Sequence, residues 1–342
     1  MRRRPGHRPG AADHGASRPG QRLRVRRPQR LHGVRGMTGQ RRRAGGRIFR
    51  YTAWDAIPAA LVYAHLAALV VFFLAWPQLS WAARLAGAGL YAFAIGWNQD
   101  SISHNFIHNP FFTSKLANRI TAFALTLENG VPQTMYAYVH MRHHAGNSDR
   151  PDAAGETRDP ISIYRHGRDG KAEPMLSYVF MGFWRDDGPF EVARQIRAKR
   201  PAEARRALEE FWVMIAVYAA LLAIRWEFIL VLAPFYYLGQ SLSFLIAYYE
   251  HLGADPDEPR ATGVSTYEPI YNLVFMNNGY HAEHHYRPKQ HWTRMASLRR
   301  EMMAETDAAP IPVIGPAHFL GFLDPRTWRT PTAAKGRPAA VH

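Results

Sequence analysis

The chain of 342 residues contains no cysteine. Disulfides, thiolate zinc sites, iron-sulfur clusters and cysteine nucleophiles are therefore excluded, and any bound metal must be held by imidazole, carboxylate or amide groups. Acidic side chains are scarce as well: 27 Asp and Glu stand against 43 Lys and Arg, a formal net charge of +16. No GxGxxG, Walker-type or GxSxG element occurs, and no internal repeat stands out. Charge itself is missing over Ile57 to Trp76, "IPAALVYAHLAALVVFFLAW". At about 1.5 Å per residue this run is long enough to cross a hydrocarbon core of about 30 Å, which predicts a transmembrane helix.

A second apolar segment, Leu85 to Trp97, follows the short connection Pro77-Gln78-Leu79-Ser80, so the two predict a membrane hairpin. Ile120 to Val139 is moderately apolar but contains Glu128, Asn129, Gly130 and Pro132, which points to an interfacial or re-entrant piece. Phe211 to Ile224 and Phe228 to Tyr249 predict a second hairpin around Arg225-Trp226-Glu227. Its first arm is short and gains length by recruiting residues from Ala207 onward or by snorkelling of Arg225. The basic leader and the basic loop Arg185 to Arg206 place the leader, that loop and the C-terminal region in the cytoplasm, with both termini inside. Trp54, Trp76, Trp81, Trp97, Trp212 and Trp226 fall near the predicted helix ends, as interfacial anchors do. The fold class expected is all-α: an integral membrane protein with about four transmembrane helices in two hairpins beneath a cytoplasmic, histidine-rich cap.

Residues 1–49 read as a basic disordered arm. Residues 1–36 lack apolar periodicity, and Met37 opens a more ordinary basic leader, "MTGQRRRAGGRIFR". Translation from an upstream start codon, or a plain disordered tail, is the favoured reading of residues 1–36; a lipid-facing arm comes second, and nucleic-acid binding is not expected. No secretory signal is expected, because no apolar core follows the charges. The membrane domain spans 50–325, and 326–342 form a loose, polar tail.

Seventeen histidines are present, and eight of them fall into three clusters. His104 and His108 are one helical turn apart; His140, His143 and His144 share the pattern i, i+3, i+4, as do His281, His284 and His285. A single pair at that spacing is common on helix surfaces. Three clusters beside membrane-helix ends, all on one predicted side, point to metal ligation. Arg142 and Glu283 sit at i+2 and should face away, whereas Asn277 and Asn278 share the ligand face if the helix survives Gly279, and one of them could hold a metal-bound water. His251, at the end of "FLIAYYEH", lies at the right depth to be a ninth ligand. His65 reads as a mid-membrane packing group, and His166, His291 and His318 as surface residues. Eight imidazoles exceed the four ligands of a zinc site, which favours two metals; neutral imidazole suits Fe, Zn, Cu and Ni. Hydrolysis is disfavoured, because Asn105 stands in "HNFIH" where the zincin motif has Glu.

The order HxxxH, HxxHH, HxxHH, interleaved with two membrane hairpins, resembles the membrane-bound fatty acid desaturase and hydroxylase superfamily, whose relatives include carotenoid ketolases and alkane hydroxylases. "HHYRP" resembles that family's His-His-x-x-Pro ending, while Asn105 replaces an Asp found in many desaturases. The resemblance implies a non-haem di-iron centre held by His104, His108, His140, His143, His144, His281, His284 and His285, with His251 as an additional ligand. It further implies O2 as co-substrate, a lipidic substrate drawn from the bilayer, and electrons from a separate ferredoxin or similar protein. Acyl-chain desaturation is the first expectation, hydroxylation or carotenoid-type ketolation the alternative. Gln240, Ser241 and Ser243 serve helix-helix hydrogen bonding ahead of lining a substrate tunnel. A membrane metal transporter is the remote alternative, since transporters place ionisable residues at mid-membrane. The basic loop at Arg194, Arg197, Lys199 and Arg200 suits anionic lipid or an acidic ferredoxin.

Overall fold

The computed structural model describes residues 47–305 and 309–328. The basic arm through residue 46, with Met37 and its start-site reading, and the tail from residue 329 lie outside the described residues. The described chain is mainly helical, with one parallel strand pair, β1 (Ser265–Thr266) against β2 (Val313–Ile314).

Apart from His65, helix α1 (Ala56–Ala75) is apolar on every side, so no face prefers water and the helix suits lipid. Pro58 lies in its first turn, where a missing N–H breaks no helical bond. A short turn at Trp76–Gln78 leads to α2 (Trp81–Trp97), which Ser80 caps by accepting from the Ala83 amide. Three helical stretches are long and apolar enough to cross a membrane: Ala53–Gln78, Pro201–Ile224 and Trp226–His251. The remaining helix expected to span, α2, has 17 residues and extends only through a wide, π-type turn at Asn98–Ser103 into α3 (His104–His108).

The segment Ile120 to Val139 is broken in two, as α4 (Lys115–Asn129) and α5 (Gln133–Gly146). The break is local chemistry. Gly130 takes the left-handed φ of 64°, a Cβ there would lie 2.5 Å from the Tyr236 ring, and Pro132 follows. Two short amphipathic helices, α6 (Met175–Arg185) and α7 (Pro189–Lys199), precede α8 (Pro201–Ile224) and α9 (Trp226–His251). Residues before Ala207 do lengthen α8, but Arg225 bends back to donate to the Phe73 carbonyl at the end of α1. Helices α2 and α9 pack closely because glycines line their contact: a Cβ on Gly239 would stand 2.7 Å from the Ala92 carbonyl oxygen.

The C-terminal part adds α10 (Pro269–Val274), α11 (His281–Tyr286), α12 (Met295–Met303) and the single turn α13 (Pro325–Trp328). Trp54, Trp81, Trp212 and Trp226 are exposed, which suits interfacial anchors. Trp76 does not join them. It is buried against Phe72 and Phe228, with Arg84 over its ring, so its role is packing between the hairpins.

Candidate metal centre

Four elements converge on one point. The first-box pair lies on α3, the second-box trio on the last two turns of α5, the third on α11, and His251 ends α9. The structure brings all nine sequence-predicted histidines together in two sets whose ring nitrogens lie within 4.8 Å of one another: His104, His108, His140, His144 and His284 in one, His143, His251, His281 and His285 in the other.

The nitrogen-to-nitrogen contacts test whether metal fits. His104 and His284 meet through their Nε2 atoms at 2.9 Å, His108 and His140 at 2.8 Å, and His144 and His284 at 3.0 Å. In the second set His251 Nε2 lies 3.0 Å from the Nε2 atoms of both His143 and His281. Three of the other ring nitrogens face hydrogen-bond acceptors: His104 Nδ1 meets Asn278 Oδ1 at 2.9 Å, His143 Nδ1 meets Asp159 Oδ2 at 2.7 Å, and His285 Nδ1 meets Asn147 Oδ1 at 2.9 Å. A neutral imidazole that donates from Nδ1 has a bare lone pair on Nε2. Lone pairs aimed at one another at hydrogen-bond distance repel unless a cation lies between them. Burial and the neighbouring imidazoles hold His140, His144, His281, His284 and His285 well below the usual histidine range, and burial brings His104 down to about 4, so the neutral, metal-ready form is favoured. The residues present fit metal ions, and the donor set of imidazoles without thiolate is compatible with non-haem iron.

Strained backbone sets the rings. Asn147 and Ser148 both take φ of 55°, which reverses the chain after the second box. That reversal lets Ser148 donate to Asp159 at 2.8 Å and puts Asn147 against His285. Gly146 permits it, since a Cβ there would lie 2.5 Å from the Asp159 backbone. Before the third box Met276 and Asn277 take φ of 51° and 63°. The helix therefore does not continue through Gly279, which corrects the expectation for the two asparagines. Asn277 donates to the Trp292 carbonyl, and Asn278 sits behind His104 while donating to Glu250 at 2.8 Å. Arg142 and Glu283 face away as their spacing requires, toward Gln195 and toward Ser265 and Tyr267.

Two surface assignments fail. His318 is fully buried, 2.9 Å from the Val264 carbonyl, and His291 is partly buried, 2.8 Å from Asp55. His166 is exposed. His65 is a packing group, its Nδ1 lying 3.1 Å from Asn98, which itself donates to the buried Glu128 at 2.7 Å. Asn129 joins Asn98 to Ser103 beside the first box. Sequence reasoning missed Asp159, Asn147 and Glu250, whose partners are remote; Asp159 touches His143 from 16 residues away, and no periodicity encodes that.

A cavity of about 360 Å³ leads to the imidazoles. Its inner end includes His104, His140, His143 and His281, and its wall carries Met135, Val139, Phe211, Met214 and Phe244. Gln240 and Ser243 face the cavity and also bond across helices, to Gln99 at 3.1 Å and to Asp100 at 3.1 Å. Ser241 is buried and touches no polar partner.

The fatty acid desaturase family profile matches residues 79–316, a range that contains all nine histidines. A comparison with curated proteins finds no match. Paired imidazole sets at the end of an apolar cavity, carried by helices suited to lipid, fit what that match implies: a membrane oxidoreductase of desaturase or hydroxylase type, acting on a lipid substrate. The chain belongs to the fatty acid desaturase family and is a desaturase-like enzyme.

Proposed function

We propose that the protein is an O2-dependent di-iron desaturase of a fatty acyl or related lipidic chain, supplied with electrons by a separate ferredoxin-type protein. The observation that carries this reading is the convergence of the two imidazole sets at the inner end of an apolar cavity. His104, His108, His140, His144 and His284 would hold one iron, and His143, His251, His281 and His285 the other. Two irons bound there would couple reduction of O2 to removal of hydrogen from an unactivated C–H bond. Two substrate hydrogens, two donor electrons and two protons together reduce one O2 to two waters, which is why an electron donor is required. Asp159, Asn147 and Asn278 orient their imidazoles through Nδ1. The apolar wall excludes water and confines the chain, so that one C–H bond is presented.

In this reading the protein sits in the cell's inner membrane with four spans, α1, α2, α8 and α9. The histidine cap and both termini face the cytoplasm, and the membrane domain covers 50–325. Hydroxylation or ketolation on the same centre is the alternative, since oxygen transfer to carbon differs from a second hydrogen removal only in positioning. The test is mass spectrometry of lipids from cells expressing the protein with a ferredoxin and its reductase, against a His284→Ala control. A wild-type-only species lacking two hydrogens establishes desaturation, and a gained oxygen moves the assignment to hydroxylase. Purified protein that binds no iron overturns the di-iron reading.

A further inference from the structure

The cavity's charges say more about its occupant than its walls do. Among the described lining residues there is no Lys or Arg, yet four carboxyl groups are present: Asp100, Glu250, Asp186 and Asp187. The first two lie at the metal end, where Glu250 Oε1 is 3.4 Å from His281 Nδ1. Asp100 is 8% exposed, and its Oδ2 has no hydrogen-bond partner. Asp186 and Asp187 are exposed and stand at the mouth, between α6 and α7. Trp184, Phe190 and Trp212 are exposed around them, and Phe190 packs edge-to-face against Phe211 in the cavity wall, ring centroids 5.3 Å apart, so the mouth opens through an aromatic rim of the kind found at a membrane interface. The arginines near the mouth are already engaged, although Arg165 and Arg185 remain within electrostatic range of Asp186. Arg185 pairs with Glu173 at 2.6 Å, Arg194 with Glu191 at 2.8 Å, and Arg165 donates to the Pro160 carbonyl at 2.7 Å.

A chain that enters tail first leaves its polar end beside Asp186 and Asp187. A carboxylate or phosphate there meets like charge, while the cations within range, Arg165 and Arg185, are already bound to the Pro160 carbonyl and to Glu173 and offset the charge of Asp186; juxtaposed like charges disfavour binding strongly. A hydroxyl or ammonium donates to the same oxygens. On this basis, and resting on the oxidoreductase reading above, we propose that the substrate is an apolar chain ending in a hydrogen-bond donor, an alcohol or amine, and not a free fatty acid or other anionic lipid.

The experiment measures binding of octadecan-1-ol, octadecylamine and octadecanoate to the full-length, iron-loaded protein in nanodiscs of uncharged lipid, at about pH 8, above the value of about 7 to which desolvation lifts Asp186, so that its carboxylate is mainly ionised. The alcohol and amine are expected to bind at least about tenfold more tightly than octadecanoate. In the Asp186→Asn, Asp187→Asn double variant the discrimination should shrink toward equality. Octadecanoate binding as tightly as the alcohol overturns the proposal, as does an unchanged ratio in the double variant, or binding of none of the three. Turnover is scored separately, with O2, a ferredoxin and its reductase added: the expected binding order without oxidation of any chain would sink the oxidoreductase reading while leaving the specificity of the mouth intact.

Discussion

At the scale of single residues, the ligands and their supports differ in how far sequence reveals them. His140, His143 and His144 announce themselves by helical spacing, because one short helix carries all three. Asp159 does not, since a loop delivers it to His143. Its carboxylate also accepts from the Ser148 and Ile161 amides, so it holds both the ring and the reversed chain. Asp159→Asn keeps the shape but weakens the acceptor for the His143 N–H, and metal affinity should fall about 10–100-fold. Iron retained by purified protein after dialysis against a graded chelator measures this; retention equal to wild type would show that Asp159 does not support the site. His318 was misjudged because an isolated histidine carries no period to reveal burial. Burial lowers its pKa to about 4, against an ordinary value of 6.5. The unfolded chain then binds a proton that the folded one refuses, so the stability tied to neutral His318 is complete above about pH 6.5 and is lost as pH falls toward about 4. The loss should reach roughly 3 kcal/mol. Melting curves between those pH values should fall less steeply for His318→Asn than for wild type, and parallel slopes would remove His318 from the acid response.

At the scale of elements, apolar length was legible and close contact was not. The run Ile57 to Trp76 became α1 nearly to the residue, because twenty uncharged positions leave lipid as the favourable surroundings. The re-entrant reading of Ile120 to Val139 rested on Gly130 and Pro132, and those residues do break α4 from α5. The wide turn at Asn98–Ser103 had no such signal. It shifts the first box relative to α2 and aligns it with α5, where His108 and His140 meet. The α2–α9 contact was equally hidden, since a glycine in an apolar run reads as filler until its neighbour is known. Gly239→Ala would push a methyl group into the Ala92 carbonyl and the Ile95 side chain, at 2.7 and 2.8 Å. Overpacking of this kind costs about 1–3 kcal/mol, and here it also separates His251 on α9 from the boxes. Lower melting temperature together with reduced iron binding is expected. A variant with wild-type stability and full iron would mean that the two helices adjust without strain.

For the whole molecule, the proposed orientation rests on the joint arrangement of basic loops and short turns, and the missing cysteines make it directly measurable. Gln78 and Glu227 are exposed, the first in the turn between α1 and α2 and the second just after the turn between α8 and α9. Lys199 is exposed at the end of α7, on the side that carries the basic loop. Each can be replaced singly by Cys in a chain with no competing thiol. If all four helices span with the cap inside, Gln78→Cys and Glu227→Cys will react with a membrane-impermeant maleimide in intact cells from which the outer barrier has been removed. Lys199→Cys will react only after lysis. Because α2 is short for a span, Gln78 is the informative position. A thiol there that stays protected until lysis, with Glu227→Cys still labelled, would mean that the first hairpin dips into the bilayer and returns. That outcome would also change how the metal centre is fed, because the wide turn and α3 would then sit deeper in lipid than the second and third boxes, and the nine imidazoles could converge only if α5 and α11 were drawn down with them. Full labelling of Gln78→Cys would support a centre at the membrane surface, where the proposed electron donor would reach the half-buried edges of His108 and His144 and a lipid chain would enter from the side.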